Sequence, residues 1–510
     1  MAAAVKLFDH LGREMRVRRR TQGWDAGGTG RRAANWQASR SSINSLISGE
    51  MPLIRDRSRD MTRKNGWIAS GLESFVANAV STGIRPQPQT ENDELRKQIL
   101  EAWEEWVEES DADGLLSFYG QQSLVVRSQR EGGEVFVRFR DRRPEDGLSV
   151  PLQLQVLEAE LCDASRNEEI GSGRRIRNGI EFDALGRRVA YHMYREHPGE
   201  HVSLRSAEIV RVPAAQVAHV FDVMRPGQIR GVPALATVLA RIYTVDKYED
   251  AVAYKQEIGN LFAGFLTRAG DLDVFGENDA SGEPVQTDDD GTPIVTLEPG
   301  TMQEVPDGYK LEFSDPPDVG ASYAEFMRTQ LRYFAVGGCG VTYEQMTGDL
   351  TGVNFSSIRT GLLEMRRRLE AFQQRVVIFQ FCRKVWRRWM EAAVLSGRIQ
   401  VPRGELSRVM RATWLAPGWD WVDPEKDVRA VVRLIRAGLT SRRREVMRRQ
   451  IDVEELDREI AADNARARDL GLVLDSDPSS DSGGEARAAA LTEPAAGNEG
   501  GEGRAALAIA

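Results

Sequence analysis

The sequence predicts an α+β chain that is mainly helical, and three observations carry that prediction. Apolar and polar residues alternate between Gly133 and Tyr194, the period of half-buried strands. A seam of Ile358, Leu362, Met365, Leu369, Phe372, Val376 and Phe379 steps by four and three residues in strict alternation, as in a helix packed lengthwise on another. A third run, from Pro233 to about Asn260, holds no further proline and starts with one where a helix's first turn tolerates it.

At 510 residues the chain exceeds a single core and forms several domains or one elongated multi-part subunit. Its net charge of −9 and 28% charged residues argue for solvated surfaces and against a histone-like DNA binder. Cys162, Cys339 and Cys382 are scattered and odd in number, which fits a reducing cytoplasm better than a disulfide framework or a thiolate metal site. No run of 18 apolar residues occurs, and the start, MAAAVKLFDH, lacks the core of a signal peptide, so neither membrane insertion nor secretion is expected.

The elements follow in order. Residues 1–50 mix basic runs, Arg16 to Arg20 with Arg31 and Arg32, with glycines, and read as a flexible cationic arm. A helical pattern runs from about Ile54 to Val80. A second, from Thr90 to Glu109, starts at a cap and carries Leu95, Ile99, Trp103 and Trp106 on one stripe. Strands are expected at GEVFVRF from Gly133 and at LQLQVLEAE from Leu152, and a hairpin from Ile180 to Tyr194 turns at Ala184 to Gly186. The helix from Pro233, about 28 residues, would span roughly 42 Å.

Between Gly270 and Gly320 fourteen Asp and Glu stand against one basic residue, Lys310, a small acidic β insert between helices. A helix from Ser322 to Val336 breaks at Gly337, Gly338 and Gly340. The seam helix continues through Trp386 and Met390 to Ser396 and Gly397, with Arg366, Arg367, Arg368, Arg387 and Arg388 on its other faces, suited to ion pairs with neighbouring elements or subunits. Short helices open at Asp423-Pro424 and at Thr440 or Ser441, and the Gly-, Ala-, Ser- and Glu-rich end beyond Asp475 reads as disordered.

Catalytic patterns are missing. No GxxxxGK[ST] cradles phosphates, and no HExxH, CxxC or GxSxG is found. His192 and His197 could share a metal, but strand-edge histidines are the simpler reading. The TDDDG run from Thr287 is similar to a calcium loop, yet its register puts Gln286 first and Leu297 twelfth, where carboxylates belong. Arg442, Arg443, Arg444 and Arg448 could contact phosphates, or pair with the acidic residues that follow.

The most telling stretch is YEQMTGDLTGVNFSSIRTGLLE, Tyr343 to Glu364. Gly348 and Gly352 bracket Asp349 and Thr351 in a turn-rich loop, and Ser356 or Ser357 would cap the helix after it. Its wording resembles the signature of lambda-type tailed-phage portal proteins, with Phe355 where the family has tyrosine. RDRSRDMTRKNGWIASGLESFVANAVSTGI, GEVFVR, RPGQIRGVPALATVLARIYTVDKYEDA and WVDPEKDVRAVVRLIRAGLTS match in the same order.

The resemblance implies a portal fold with wing, stem, clip and crown parts in a ring-forming subunit. Mapped onto this chain, it implies a basic arm at 1–50, an α+β wing at 51–225, stem helices at 226–262 and 316–340 around an acidic clip at 263–315, a tunnel loop at 341–357, a long wing helix and connection at 358–419, a helical crown at 420–475 and a tail at 476–510. It further implies a ring of twelve copies at a capsid vertex of the virion, assembled in the host cytoplasm, through which double-stranded DNA is packaged and ejected. Partners would be the terminase large subunit, the major capsid and scaffold proteins and the head-completion proteins, with no cofactor, metal, membrane or enzymatic activity. Gln345, Met346, Thr347, Asp349 and Asn354 would line the DNA channel. Two other readings are an adaptor or scaffold that forms no channel, and a metal-dependent phage DNA-processing enzyme using Asp288 to Asp290.

Overall fold

The computed structural model describes residues 39–472, except 201–207, 261–319 outside two five-residue strands, 353–354, 403, 419–423 and 450; two-residue strands at Leu7–Phe8 and Glu14–Met15 are also described. Helix α1 (Ile43–Lys64) begins where the Ser42 hydroxyl accepts from the Ser45 amide, 3.2 Å. This corrects the sequence reading, which kept residues up to 50 in a flexible arm: Ile47 is already buried. Asn65 ends α1 and caps α2 (Gly66–Val80), its Oδ1 accepting from the Ile68 amide at 3.1 Å.

After β1 (Arg85–Pro88) comes α3 (Asp93–Glu109), capped by Asn92, not by Thr90, whose hydroxyl accepts from the Asn92 amide. Leu95, Ile99, Trp103 and Trp106 are all buried, as their stripe requires. Helix α4 (Phe118–Gly132) has no counterpart in the sequence reading. Part of its buried face is glutamine. Gln122 clamps the Ile84 backbone, accepting from its amide at 2.7 Å and donating to its carbonyl at 2.9 Å, and Gln121 donates to Asp111 at 2.8 Å. A helix that buries amides with partners reads as polar to any hydrophobic period.

Strands β2 (Glu134–Asp141) and β3 (Leu152–Leu157) join β9 (Val217–Phe221) in an antiparallel sheet of order β9-β2-β3. Strands β4 (Glu168–Gly171), β5 (Arg174–Arg177), β6 (Ile180–Phe182), β7 (Arg188–Tyr194) and β8 (Ile209–Pro213) form a second sheet in consecutive order. The expected hairpin is β6–β7, closed by Gly186 with φ 78° and in register at Ile180 and Tyr191.

A 3-10 turn (Ala234–Thr237) leads into α5 (Leu239–Asn260), so the regular helix is shorter than the run after Pro233 suggested. Strands β10 (Gly264–Arg268) and β11 (Tyr309–Phe313) pair antiparallel at the base of the acidic insert, most of which, with Asp288 to Asp290, lies outside the described residues. Next come α6 (Gly320–Phe334), the short α7 (Tyr343–Thr347) and α8 (Phe355–Phe372), which continues through a π-helical segment (Gln373–Cys382) into α9 (Arg383–Leu395). Strand β12 (Ala412–Leu415) returns to pair with β1. Helices α10 (Pro424–Arg436), α11 (Arg442–Met447) and α12 (Val453–Asp469) close the described chain. No helix among the described residues is long and apolar enough to cross a membrane.

One large core joins α2, α3, α4, one face of β2 and the 355–395 helix, and a smaller one fills the space between the two sheets. At the centre of the first, Trp103 packs edge-to-face on Phe118 and Trp389 and tilted on Trp106 and Trp386, each with ring centroids about 5 Å apart. Such aromatic pairs each contribute about 0.5–1.5 kcal/mol beyond their buried area. Cys162, Cys339 and Cys382 are free and buried, and burial pushes the Cys162 thiol up to about 11 and Cys339 to about 12.

Candidate functional site at the turn between α6 and α8

The site is built from the end of α6 outwards. The sequence AVGGC, Ala335 to Cys339, winds as a π segment and stops at Gly340, φ 81°, whose amide donates to the Ala335 carbonyl at 2.7 Å. Gly338 lies so close to the residues leading into α5 that a Cβ there would stand 2.7 Å from Val238. Arg130 of α4 donates to the carbonyls of Gly338 and Cys339, both at 3.0 Å, and lies over the Phe75 ring. Burial lowers its pKa to about 10, so it stays charged and satisfies a helix end that would otherwise be orphaned.

Residues expected to be loop then form α7. Its start is a capping box: the Thr342 hydroxyl accepts from the Gln345 amide at 3.3 Å, and the Gln345 side chain accepts from the Thr342 amide at 3.1 Å. Met346 is 1% exposed and packs on α2, where Gly71 leaves room for it, while the Ser70 hydroxyl donates to the Met346 carbonyl at 2.8 Å. Gly348 ends the helix in the left-handed region at φ 70°.

The segment after it is held by its own bonds. Asp349 accepts from the Thr351 amide at 2.9 Å, from the Thr351 hydroxyl at 2.5 Å and from the Tyr343 hydroxyl at 2.8 Å, with Arg328 at 3.4 Å. These donors, the Thr351 hydroxyl first, hold its carboxyl down at about 2, so it is ionised at any working pH. What projects is Leu350, 65% exposed, with Thr351 and Gly352. At the root lies a cavity of about 460 Å³ lined by Arg328, Arg332, Val336, Ile358, Met365 and Arg368 among others.

The expected channel residues therefore separate. Met346 is core, which corrects its assignment as channel-lining. Gln345 and Thr347 are half-buried and spend their side chains on α7, Thr347 donating to the Tyr343 carbonyl at 2.8 Å. Asp349 holds the turn together, and Asn354 lies outside the described residues. Helix α8 begins at Phe355, so Ser356 and Ser357 sit inside its first turn and not before it. Leu350, which the sequence reading did not single out, is the side chain the turn exposes, and an apolar residue in DLT between two glycines was the available signal.

The other candidates resolve as follows. Arg442 pairs with Asp457 at 2.6 Å, Arg443 with Glu454 at 3.8 Å and Arg448 with Glu445 at 3.2 Å, the intramolecular alternative to phosphate contact; Ser441 caps α11 by accepting from the Arg444 amide. Of the long helix's arginines, Arg368 pairs with Glu364 and Arg388 with Asp141. His192 lies against Glu181 and Arg166, and His197 instead gathers with Glu158 and Glu160. Arg59 already reaches both of those carboxylates, at 3.4 and 2.7 Å, and occupies them as a counter-ion.

A long two-helix span, a tightly anchored turn and a long helix packed on an α+β body define a scaffold that presents one short exposed finger. Residues 29–373 match the family "Phage portal protein, lambda family", well over half of the sequence. The chain belongs to this family. It is 28% identical over 439 residues to the "Probable portal protein" of Halomonas phage phiHAP-1, covering 84% of this chain and 83% of the relative. The "Portal protein" of Escherichia phage N15 is 22% identical over 490 residues, 88% of this chain and 90% of that one. "Portal protein B" of Escherichia phage lambda is 21% identical over 494 residues, 88% and 91%. Among solved structures, chains of the neck of an empty GTA particle and of the virion of a native gene transfer agent align with TM-scores of 0.42 and 0.40, both at 13% identity, covering 76% and 77% of this chain and 92% of each.

Proposed function

We propose that this chain is the portal subunit of a tailed phage or prophage, a ring of twelve copies that forms the channel for double-stranded DNA at one capsid vertex. The terminase large subunit would drive DNA through it, major capsid and scaffold proteins would surround it, and head-completion proteins would attach to the acidic insert as the clip. The wing, stem and crown take the boundaries given above, with α1 added to the wing. The observation that carries the reading is the turn after α7: a family member holds a short exposed finger, Leu350 to Gly352, beside Asp349, whose carboxylate is bonded to Tyr343 of α7 and back to Thr351.

A channel must let go of each phosphate it touches, since every phosphate–cation contact broken costs affinity. A chain of net charge −9 suits that task, and a finger without a lysine or arginine suits it further. Deleting Leu350 to Gly352 tests the reading, because it spares Met346 and the capping box. Rings seen by electron microscopy should persist while packaging or retention of DNA falls at least tenfold. Loss of rings would make the finger structural, and unchanged packaging would remove its role with DNA. Wild-type chain that stays monomeric or dimeric under assembly conditions would favour an adaptor without a channel.

A further inference from the structure

The sheet β9-β2-β3 has two unlike faces. Val135, Val137 and Phe139 of β2, with Leu152 and Leu154 of β3, enter the main core beside Trp103 and Trp106 of α3. On the other face Glu134 and Phe136 are buried, Phe136 in the smaller core against the second sheet, and beyond them Arg138 and Arg140 stand half-buried in line, with Arg142 exposed just past the strand end. Steps of two residues along a strand repeat about every 6.8 Å. Arg140 Nε donates to Gln155 at 2.9 Å and Arg142 Nε to Gln153 at 2.8 Å, so the neighbours across the sheet are neutral. None of the three arginines has a carboxylate at ion-pair distance among the described residues, and Arg138 Nε is buried without a hydrogen-bond partner there. The Arg140 pKa is lowered, first by desolvation and then by Arg138 and Arg142, against a smaller opposing pull from Asp113. Like charges held together in this way destabilise a sheet unless something answers them.

The complementary surface lies on the far side of the same layered unit. Helix α3 buries Leu95, Ile99, Trp103 and Trp106 and turns Glu101, Glu104, Glu105 and Glu108 outwards. Glu105 is paired with Arg398, Glu101 lies 3.9 Å from Lys97, and Glu104 accepts from the Tyr119 hydroxyl. Glu108 has no ion pair among the described residues. Glu104 and Glu108 are like charges one turn apart, which costs the isolated helix a few tenths of a kcal/mol.

A basic face and an acidic face on opposite sides of one layer cannot meet within a chain. Between successive copies they can, and such a head-to-tail contact closes into a ring when its rotation allows. We propose that the Arg138, Arg140 and Arg142 ladder docks the Glu101, Glu104 and Glu108 side of α3 in a second copy. This rests on the ring reading above. The two rows differ modestly in pitch: along α3 the carboxylates rise by about 4.5 and 6 Å, about 10.5 Å in all against about 13.6 Å for the ladder, a difference that the long arginine and glutamate side chains span.

Full-length variants Arg138→Glu with Arg140→Glu, and Glu104→Arg with Glu108→Arg, test the contact by native mass spectrometry at low salt. Each alone should lose rings at least tenfold. Mixed together, the two should form rings again by alternation, and the variant carrying all four changes should form rings by itself. Wild-type rings should weaken as salt rises and screens the pairs. Single variants that assemble like wild type overturn the proposal, as do well-folded ones that neither mixing nor the fourfold change rescues. Should a variant melt early, Arg140→Cys combined with Glu104→Cys, joined by a bifunctional maleimide long enough to span a guanidinium–carboxylate pair, decides: a ladder of cross-linked multimers supports the contact, and monomer alone overturns it. Wild-type chain that never forms rings defeats the ring reading itself, a result distinct from rings that ignore the charge changes.

Discussion

Gly71 has no room for one more carbon. A Cβ there would stand 2.7 Å from Cys339 Sγ and 3.1 Å from Met346 Cγ, so Gly71→Ala should push α7 off α2. Overpacking of this kind costs about 1–3 kcal/mol, read as a lower melting temperature in calorimetry. Wild-type melting in that variant would remove this account of the contact. Two apolar residues four apart in the same signature should behave oppositely: Met346→Ala should cost about 2–5 kcal/mol, and Leu350→Ala about 0.5 kcal/mol or less, by urea unfolding. The sequence made both look like loop. The signal that separates them was legible, since Thr342 and Gln345 have capping-box spacing, but a five-residue helix is too short to show a period of its own.

Among the elements, the long seam helix was legible in type and extent and wrong in face over its middle. Strict alternation by four and three put Phe379 in the packed seam, yet it is 62% exposed, while Val377, Ile378, Phe381 and Cys382 are buried. The cause is the π segment, whose wider turn shifts the register so that the buried face after Val376 moves to positions the heptad does not select. Trp386 and Met390 fall back into the core beyond it. Phe381→Ala should therefore cost about 3–5 kcal/mol and Phe379→Ala should stay near zero, by chemical denaturation. The reverse order would restore the uninterrupted seam. Helix α4 was illegible for a different reason, because Gln121, Gln122 and Gln129 occupy its buried side and owe their place to partners distant in sequence.

At the scale of the molecule, one buried charge cluster ties the two cores, and it sets how the whole fold answers acid. Glu134 accepts from Arg55 at 3.0 Å, from Arg230 Nε at 2.7 Å, from the Gly231 amide at 2.9 Å and from His219 Nε2 at 2.9 Å, joining α1, β2, β9 and the approach to α5. Gly231 is required there, since a Cβ would meet the Gly133 carbonyl oxygen at 2.1 Å. Arg188 donates to His219 Nδ1 at 3.1 Å, which fixes the neutral ring with its proton on Nε2. Burial lowers the His219 pKa to about 3 against the pull of Glu134, with Arg188 and Arg230 lowering it further. The unfolded histidine titrates near 6.5. Between those values the unfolded chain binds a proton that the folded chain refuses, so stability must fall as pH drops through that window, by at most about 1.4 kcal/mol per pH unit for one proton. Burial pushes the Glu134 carboxyl up, but Arg230, His219 and Arg55 outweigh it and hold it well below the ordinary range, which adds a second loss once pH passes below the unfolded carboxylate value. His192 is lowered too, chiefly by desolvation, and contributes in the same direction. His219→Gln keeps a donor for Glu134 and an acceptor for Arg188 without a titrating ring. Melting temperature followed from pH 7 to pH 5 should decline less steeply in that variant, by the equivalent of about one proton. An unchanged slope would mean that acid enters the fold elsewhere and that the cluster is only a structural tie.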